Sequence, residues 1–270
     1  GLTATSSAAL LAACAREEEP EASPQASPTE ASPTSTATPA SPSPGVPTEA
    51  ITFRGPSGTL QGAWANAANP KGTVLVIHEN RGLNDHIRSV AGRLAAAGYS
   101  ALAIDLLSEE GGTASLGDPA NAMAALGRVA PERFIADMRA GLDEMARRTP
   151  NLKLGMTGFC FGGGQVWSLL NAGEPRLAAA IPFYGPAPEN PDFSRSKAAV
   201  LAIYAEMDQR VNATRDAAVA ALRRAGLTHE VITYPGADHA FFNDTGPRYN
   251  ASAASQAYRA VLDWYGRHLG

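Results

Sequence analysis

Cys14 and Cys160 are the only cysteines in 270 residues. At most one disulfide can form, and with no paired C-x-x-C spacing neither a stapled scaffold nor a structural zinc site fits. No run reaches the ~18 apolar residues that a membrane-spanning helix needs. An excess of one charge is missing as well. Lys and Arg number 22 against 26 Asp and Glu. Arg16 and the acids Glu17, Glu18, Glu19, Glu21 and Glu30 all precede residue 49, so 49–270 carries equal numbers of each sign. That part offers no basic footprint, and nucleic acid and polyanion partners are disfavoured.

Residues 15–48 are built from Pro, Ser, Thr and Ala, with Val46 the only large apolar side chain. A segment of this kind cannot bury enough surface to offset its ordering entropy, so it reads as a disordered tether, with the folded domain spanning 49–270. Before it, residues 1–14 form a small, uncharged, apolar run ending in Leu11-Ala12-Ala13-Cys14, which resembles the lipobox that closes the signal peptide of bacterial lipoproteins. The expectation is acylation at Cys14 and an exported protein of a bacterium held at a membrane surface through a lipid anchor. The initial Met and basic segment of such a signal are absent, which suggests a longer precursor.

From Glu49 onward, short β-rich runs alternate with helical patterns. Strands are expected at Ala50–Phe53, Leu60–Trp64, Thr73–His78, Ser100–Ile104, Leu152–Thr157, Ala178–Tyr184, Ala199–Tyr204 and His229–Tyr234. The continuous run Val74-Leu75-Val76-Ile77 suits a strand buried on both faces. Ile87, Val90, Ala91, Leu94 and Ala95 share one helical face, and Phe134, Ile135, Met138, Leu142 and Met145 another. Such alternation predicts a mostly parallel sheet covered on both sides, with chemistry at the carboxyl ends of its strands.

Gly158-Phe159-Cys160-Phe161-Gly162 stands between a strand and a helix. It reads as a nucleophile elbow with cysteine in the usual place of serine, the glycines admitting chains that pass too close for a Cβ. A helix amino end behind the sulfur favours the thiolate. The plainer alternative is a buried cysteine acting as a small hydrophobe beside a glycine turn. Asp208 and His239 each follow a strand, in the order nucleophile, acid, base. Taken singly, Asp208 reads as a turn cap with Glu206 a rival acid, and His239 as a loop histidine bound to Asp238.

Adding Ile77-His78-Glu79-Asn80-Arg81-Gly82 and Gly236-Ala237-Asp238-His239-Ala240-Phe241, the set resembles the dienelactone hydrolase family over Glu49 to Gly270. The resemblance implies an α/β-hydrolase fold that cleaves a small ester or lactone through a Cys160 acyl-enzyme, without a cofactor. Glu79 would accept the Cys160 proton, His239 held by Asp208 would serve later proton transfers, and backbone N–H groups of Phe161 and Asn80 would hold the oxyanion. Metal binding by His78-Glu79 would need a second histidine where Gly82 stands, so no metal is expected. Family members bind a substrate carboxylate with arginines, one shortly after the catalytic histidine. Asn243 lies there in this chain, leaving Arg81, Arg133 and Arg248 as substitutes. Among Phe159, Phe161, Tyr184, Phe241 and Phe242, some are expected to line an apolar pocket. A general carboxylesterase or thioesterase is the alternative on the same site. A non-catalytic, ligand-binding surface lipoprotein is the alternative of another class.

Overall fold

The computed structural model describes residues 44–270. The lipobox-like run with Cys14 and the tether up to Ser43 lie outside the described residues. β1 (Glu49–Arg54) and β2 (Thr59–Ala65) form a hairpin; β3 (Gly72–Ile77), α1 (Asp85–Ala96) and β4 (Tyr99–Asp105) follow. After a 3-10 turn at Ser108–Glu110 come α2 (Thr113–Leu116), α3 (Pro119–Leu126) and α4 (Pro131–Arg148). Then β5 (Leu154–Phe159), α5 (Phe161–Ala172), β6 (Leu177–Phe183), β7 (Ala199–Ala205), α6 (Gln209–Asn212), α7 (Arg215–Arg224), β8 (His229–Tyr234) and α8 (Ala251–His268) complete the described chain.

The strands make one sheet in the order β1-β2-β4-β3-β5-β6-β7-β8, with β2 antiparallel to both its neighbours and every other pair parallel. Period-two geometry divides each inner strand between two cores. Leu75, Ile77, Leu102 and Ile104 pack with Met138, Leu142 and Trp167 from α4 and α5. On the other face Val74, Val76, Ala101 and Ala103 pack with Ile87, Val90 and Leu94 of α1 and Trp264 and Tyr265 of α8. Both faces are covered, which is why the inner strands read as unbroken apolar runs. β3 crosses to β4 on one side and lies against β5 on the other, so the sheet reverses direction between β3 and β5. Ligands of open parallel sheets bind at that switch point.

Three features depart from the expectation. The strand expected at Leu152–Thr157 runs on through Gly158 and Phe159, delivering the chain directly to Cys160. The short helices α2 and α3 were not anticipated, although Asp118 caps α3 by accepting from the Ala120 N–H at 2.7 Å and Pro119 occupies its first turn. The chain is also docked before Glu49. The Val46 N–H donates to the Gly92 carbonyl at 3.1 Å, and Val46 packs half-buried on the α1 side. A Cβ at Gly92 would stand 2.4 Å from the Val46 carbonyl oxygen, so glycine makes room for the one apolar residue of the tether.

Asp137 of α4 is buried at 1% exposure, and neither of its oxygens has a hydrogen-bond partner among the described residues. Burial and the nearby Glu109 carboxylate push its carboxyl up to about 6, against the opposing pull of Arg133. Since this folded value lies above the ordinary 3.8, Asp137 favours the fold most when protonated and withdraws stability as pH rises through about 6. Asp137→Asn is therefore expected to gain about 2 kcal/mol over the wild type above pH 7 and nothing at about pH 4. Thermal melts across that range, taken as the difference between the two proteins, measure it.

Candidate active site

The end of β5 turns at Cys160 with φ 57° and ψ −114°, a conformation that non-glycine residues rarely hold. Close backbone approaches impose it. A Cβ at Gly158 would lie 2.2 Å from the Gly162 oxygen, one at Gly162 would lie 2.4 Å from the Ile77 oxygen, and one at Gly163 would lie 2.3 Å from the Phe183 oxygen. The Cys160 N–H donates to the Phe183 carbonyl at 3.1 Å, tying the turn to β6. Cys160 is a free, partly exposed thiol at the amino end of α5. Among the described residues, no acceptor takes the backbone N–H of Phe161 or Asn80.

Asp208 follows β7 and caps α6, its Oδ1 accepting from the Val211 N–H at 3.2 Å. Its Oδ2 meets His239 Nδ1 at 2.5 Å. The turn cap and the histidine partner are thus one carboxylate. Glu206, the rival acid, instead accepts from the Gly236 N–H at 2.7 Å and pins the loop that carries His239. Asp238 accepts from the backbone N–H of His239 at 2.6 Å, leaving the imidazole to Asp208. Burial alone would lower the His239 pKa, but hydrogen bonds to Asp208 and Cys160 and the charge of both lift it to about 9. Burial likewise opposes ionisation of Asp208, yet the hydrogen bonds from His239 and the Val211 N–H hold its carboxyl below the usual range.

Glu79, after β3, is buried at 5% exposure. Its Oε2 accepts from Asn243 Nδ2 at 2.8 Å, and its Oε1 has no partner among the described residues. Cys160, His239 and Glu79 all line a cavity of about 240 Å³, together with Asn80, Arg81 and Arg248. Arg133 does not reach it. Its guanidinium holds Glu110 at 2.5 Å and the Leu106 carbonyl at 3.1 Å, with the carboxylates of Glu109 and Asp137 each 3.6 Å away. The expectation that Arg133 meets substrate is corrected accordingly. In its place stands Arg210, two residues after Asp208, overlooked in the sequence although the same strand-end logic that found Asp208 covers it. None of Arg81, Arg210 and Arg248 forms an ion pair among the described residues.

The expected aromatic lining is likewise corrected. Phe159, Phe183 and Phe242 pack on one another, with centroids 4.7–5.3 Å apart, and among the described residues the apolar lining of the cavity comes from Met123, Ala240 and Pro247. His78 is structural: Nδ1 bonds the Glu79 carbonyl at 2.6 Å while Nε2 accepts from the Leu106 N–H at 3.1 Å. Burial lowers its pKa, which agrees with a neutral ring.

The profile of the dienelactone hydrolase family matches residues 60–269. The chain belongs to the dienelactone hydrolase family. It is 33% identical over 210 residues to a proposed carboxymethylenebutenolidase of Methylorubrum extorquens, covering 73% of this chain and 72% of that one. A second relative of that proposed activity, from Saccharolobus solfataricus, is 31% identical, with 75% and 92% covered. A solved structure described as a proposed dienelactone hydrolase of Klebsiella pneumoniae superposes with a TM-score of 0.71 at 27% identity, covering 82% of this chain and 98% of that one. This dienelactone hydrolase family member is a carboxylic-ester hydrolase with the α/β-hydrolase fold.

Since the folded pKa of His239 lies above the ordinary 6.5, its charged pair with Asp208 stabilises the fold fully below about pH 6.5 and is lost as pH rises through about 9. In Asp208→Asn the imidazole titration, followed by NMR, is expected to fall at least one unit below wild type. The melting-temperature gap between the two proteins should close between pH 7 and pH 10. A gap that stays constant over that range rules the charged pair out.

Proposed function

We propose that the protein hydrolyses a small ester or lactone bearing a negative charge, through an acyl-enzyme on Cys160. The convergence of Cys160, the Asp208–His239 pair and Glu79 on one cavity carries this reading. The hydrogen bond and charge of Asp208 favour the imidazolium of His239, which leaves the thiol proton to another base. Glu79, with Oε1 free, takes it, and the thiolate forms beside the imidazolium. The thiolate adds to the carbonyl carbon, and the oxyanion is held by the N–H groups of Phe161 and Asn80. Collapse breaks the bond to the alcohol oxygen, which leaves with the proton of His239. Neutral His239 then takes a proton from water as the hydroxide attacks the acyl carbon. The acid departs, and the thiolate recovers its proton from Glu79.

Arg81, Arg210 and Arg248, cations around the cavity without acid partners among the described residues, favour a carboxylate-bearing substrate. Asn243, where an arginine would be expected, favours the general carboxylesterase reading as the second. The test compares turnover of an anionic lactone with that of neutral short-chain esters, alongside iodoacetamide labelling of Cys160 against pH. Cys160→Ala should form no acyl-enzyme, and Glu79→Gln should lose ~10²–10⁴ in kcat. Faster turnover of neutral esters supports the second reading. Full activity in Glu79→Gln, with rapid labelling of the wild type at pH 6, reduces Glu79 to a loop carboxylate.

We also propose that Cys14 is acylated and tethers the domain to a bacterial membrane surface, on the support of Leu11-Ala12-Ala13-Cys14 and the long Pro/Ser/Thr-rich segment after it. Cys14→Ser should then move the protein from the detergent phase to the aqueous phase when expressed with its own signal. Unchanged partitioning removes the anchor.

A further inference from the structure

Asn243 and Glu79 are both more than nine-tenths buried, and the amide is the only partner the carboxylate has among the described residues. The orientation of that amide is fixed from behind. Oδ1 of Asn243 accepts from the Thr245 N–H at 2.9 Å and from the Thr245 hydroxyl at 2.7 Å, so only Nδ2 can face Glu79. The backbone is equally tied, with the Asn243 N–H donating to the Ala240 carbonyl and the Asn243 carbonyl accepting from the Gly246 N–H, both at 3.1 Å. Asn243 thus belongs to the turn that begins at His239, and the strand end carrying the imidazole also supplies the partner of the opposing carboxylate.

A guanidinium here would grip both carboxylate oxygens and hold a counter-charge against them. The amide grips one oxygen and brings no charge. A buried carboxylate oxygen left without a partner is costly, and here it belongs to a residue that lines the cavity holding the Cys160 thiol. We propose that Asn243 is a positioning residue, holding Glu79 by Oε2 so that Oε1 stays free to receive the Cys160 proton. This rests on the reading of Glu79 given under Proposed function. The other titratable or charged groups that face Glu79 or line its cavity are His78, His86, Tyr184, Cys160, His239, Arg81, Arg210 and Arg248.

The experiment measures kcat and KM against pH for Asn243→Asp in the wild-type and Glu79→Gln backgrounds, using a chromogenic ester and monitoring folding by thermal melts. Asn243→Asp keeps the shape and sets a second carboxylate against Glu79. The acid limb of the kcat profile should therefore move up by about one pH unit or more, with KM nearly unchanged. In the Glu79→Gln background the same substitution should have no further effect on kcat. Should Asn243→Asp fail to fold, Thr245→Val removes one of the two donors that hold the amide, leaving the backbone N–H, and should lower kcat two- to threefold, again only where Glu79 is present. An acid limb that stays in place while Glu79→Gln is inactive overturns the positioning role alone. An equal loss in both backgrounds overturns it as well. Full activity in Glu79→Gln overturns the reading of Glu79 and this proposal with it.

Discussion

Gly158, Gly162, Gly163 and Gly185 sit where the ends of β3, β5 and β6 are pressed together, and the missing Cβ at each is what lets them meet. A Cβ at Gly185 would lie 2.1 Å from the Gly163 backbone, and one at Gly162 would strike the Ile77 and His78 carbonyls. Without those contacts the chain has no reason to hold Cys160 at φ 57°. The strain is maintained by covered strands on both sides, so the geometry of the thiol depends on the integrity of the whole sheet. Everything chemical in the site is a consequence of that crowding. The β3 end that Gly162 lets near carries Glu79 and Asn80, and the β5 turn carries Cys160 and Phe161.

Electrostatics then divides the two candidate proton carriers. His239 is surrounded by groups that favour its charge, Asp208 directly and Cys160 beside it, and these outweigh the penalty of burial. Glu79 has a neutral amide as its hydrogen-bond partner, and Arg81 and Arg248 line its cavity without an ion pair to it. A histidine already charged is suited to deliver a proton, and a carboxylate with an unpartnered oxygen is suited to accept one. The two groups face the same cavity from different strand ends, which keeps the imidazolium from quenching the carboxylate through a direct ion pair; no such contact occurs.

The fold was legible in the sequence to the extent that it depends on periodicity. The all-apolar run at β3 and the helical stripes of α1 and α4 identified their elements, and strand ends located Cys160, Asp208, His239 and Glu79. What escaped was set by packing between distant segments. Nothing local in Val46 shows that it docks on Gly92, since the space it uses belongs to a helix 46 positions away. α2 and α3 are short and bounded by glycines, so no apolar stripe announces them, although Asp118-Pro119 is a legitimate start signal. The sequence does not show the role of Arg133, because an arginine's role depends on which carboxylates surround it, and Glu109, Glu110 and Asp137 come together only when the turn after β4 folds against α4.

Arg133 nevertheless reaches the site through structure. Its Nη2 donates to the Leu106 carbonyl, the Leu106 N–H donates to His78 Nε2, and His78 Nδ1 donates to the carbonyl of Glu79. Each link fixes the next: the Leu106 N–H can be accepted only if His78 Nε2 is unprotonated, which leaves the ring proton on Nδ1 for Glu79. The His78 ring also stacks 5.9 Å from Phe161, whose other side meets Phe134 at 5.3 Å, so the residue that supplies a candidate oxyanion N–H rests on the same support. Glu79 is therefore held twice, at its backbone by the neutral His78 and at its side chain by Asn243. Both holds are made by neutral groups. A carboxylate fixed in place by neutral hydrogen bonds keeps one oxygen without a partner among the described residues, and a free acceptor at a fixed position is what a substrate-responsive base requires.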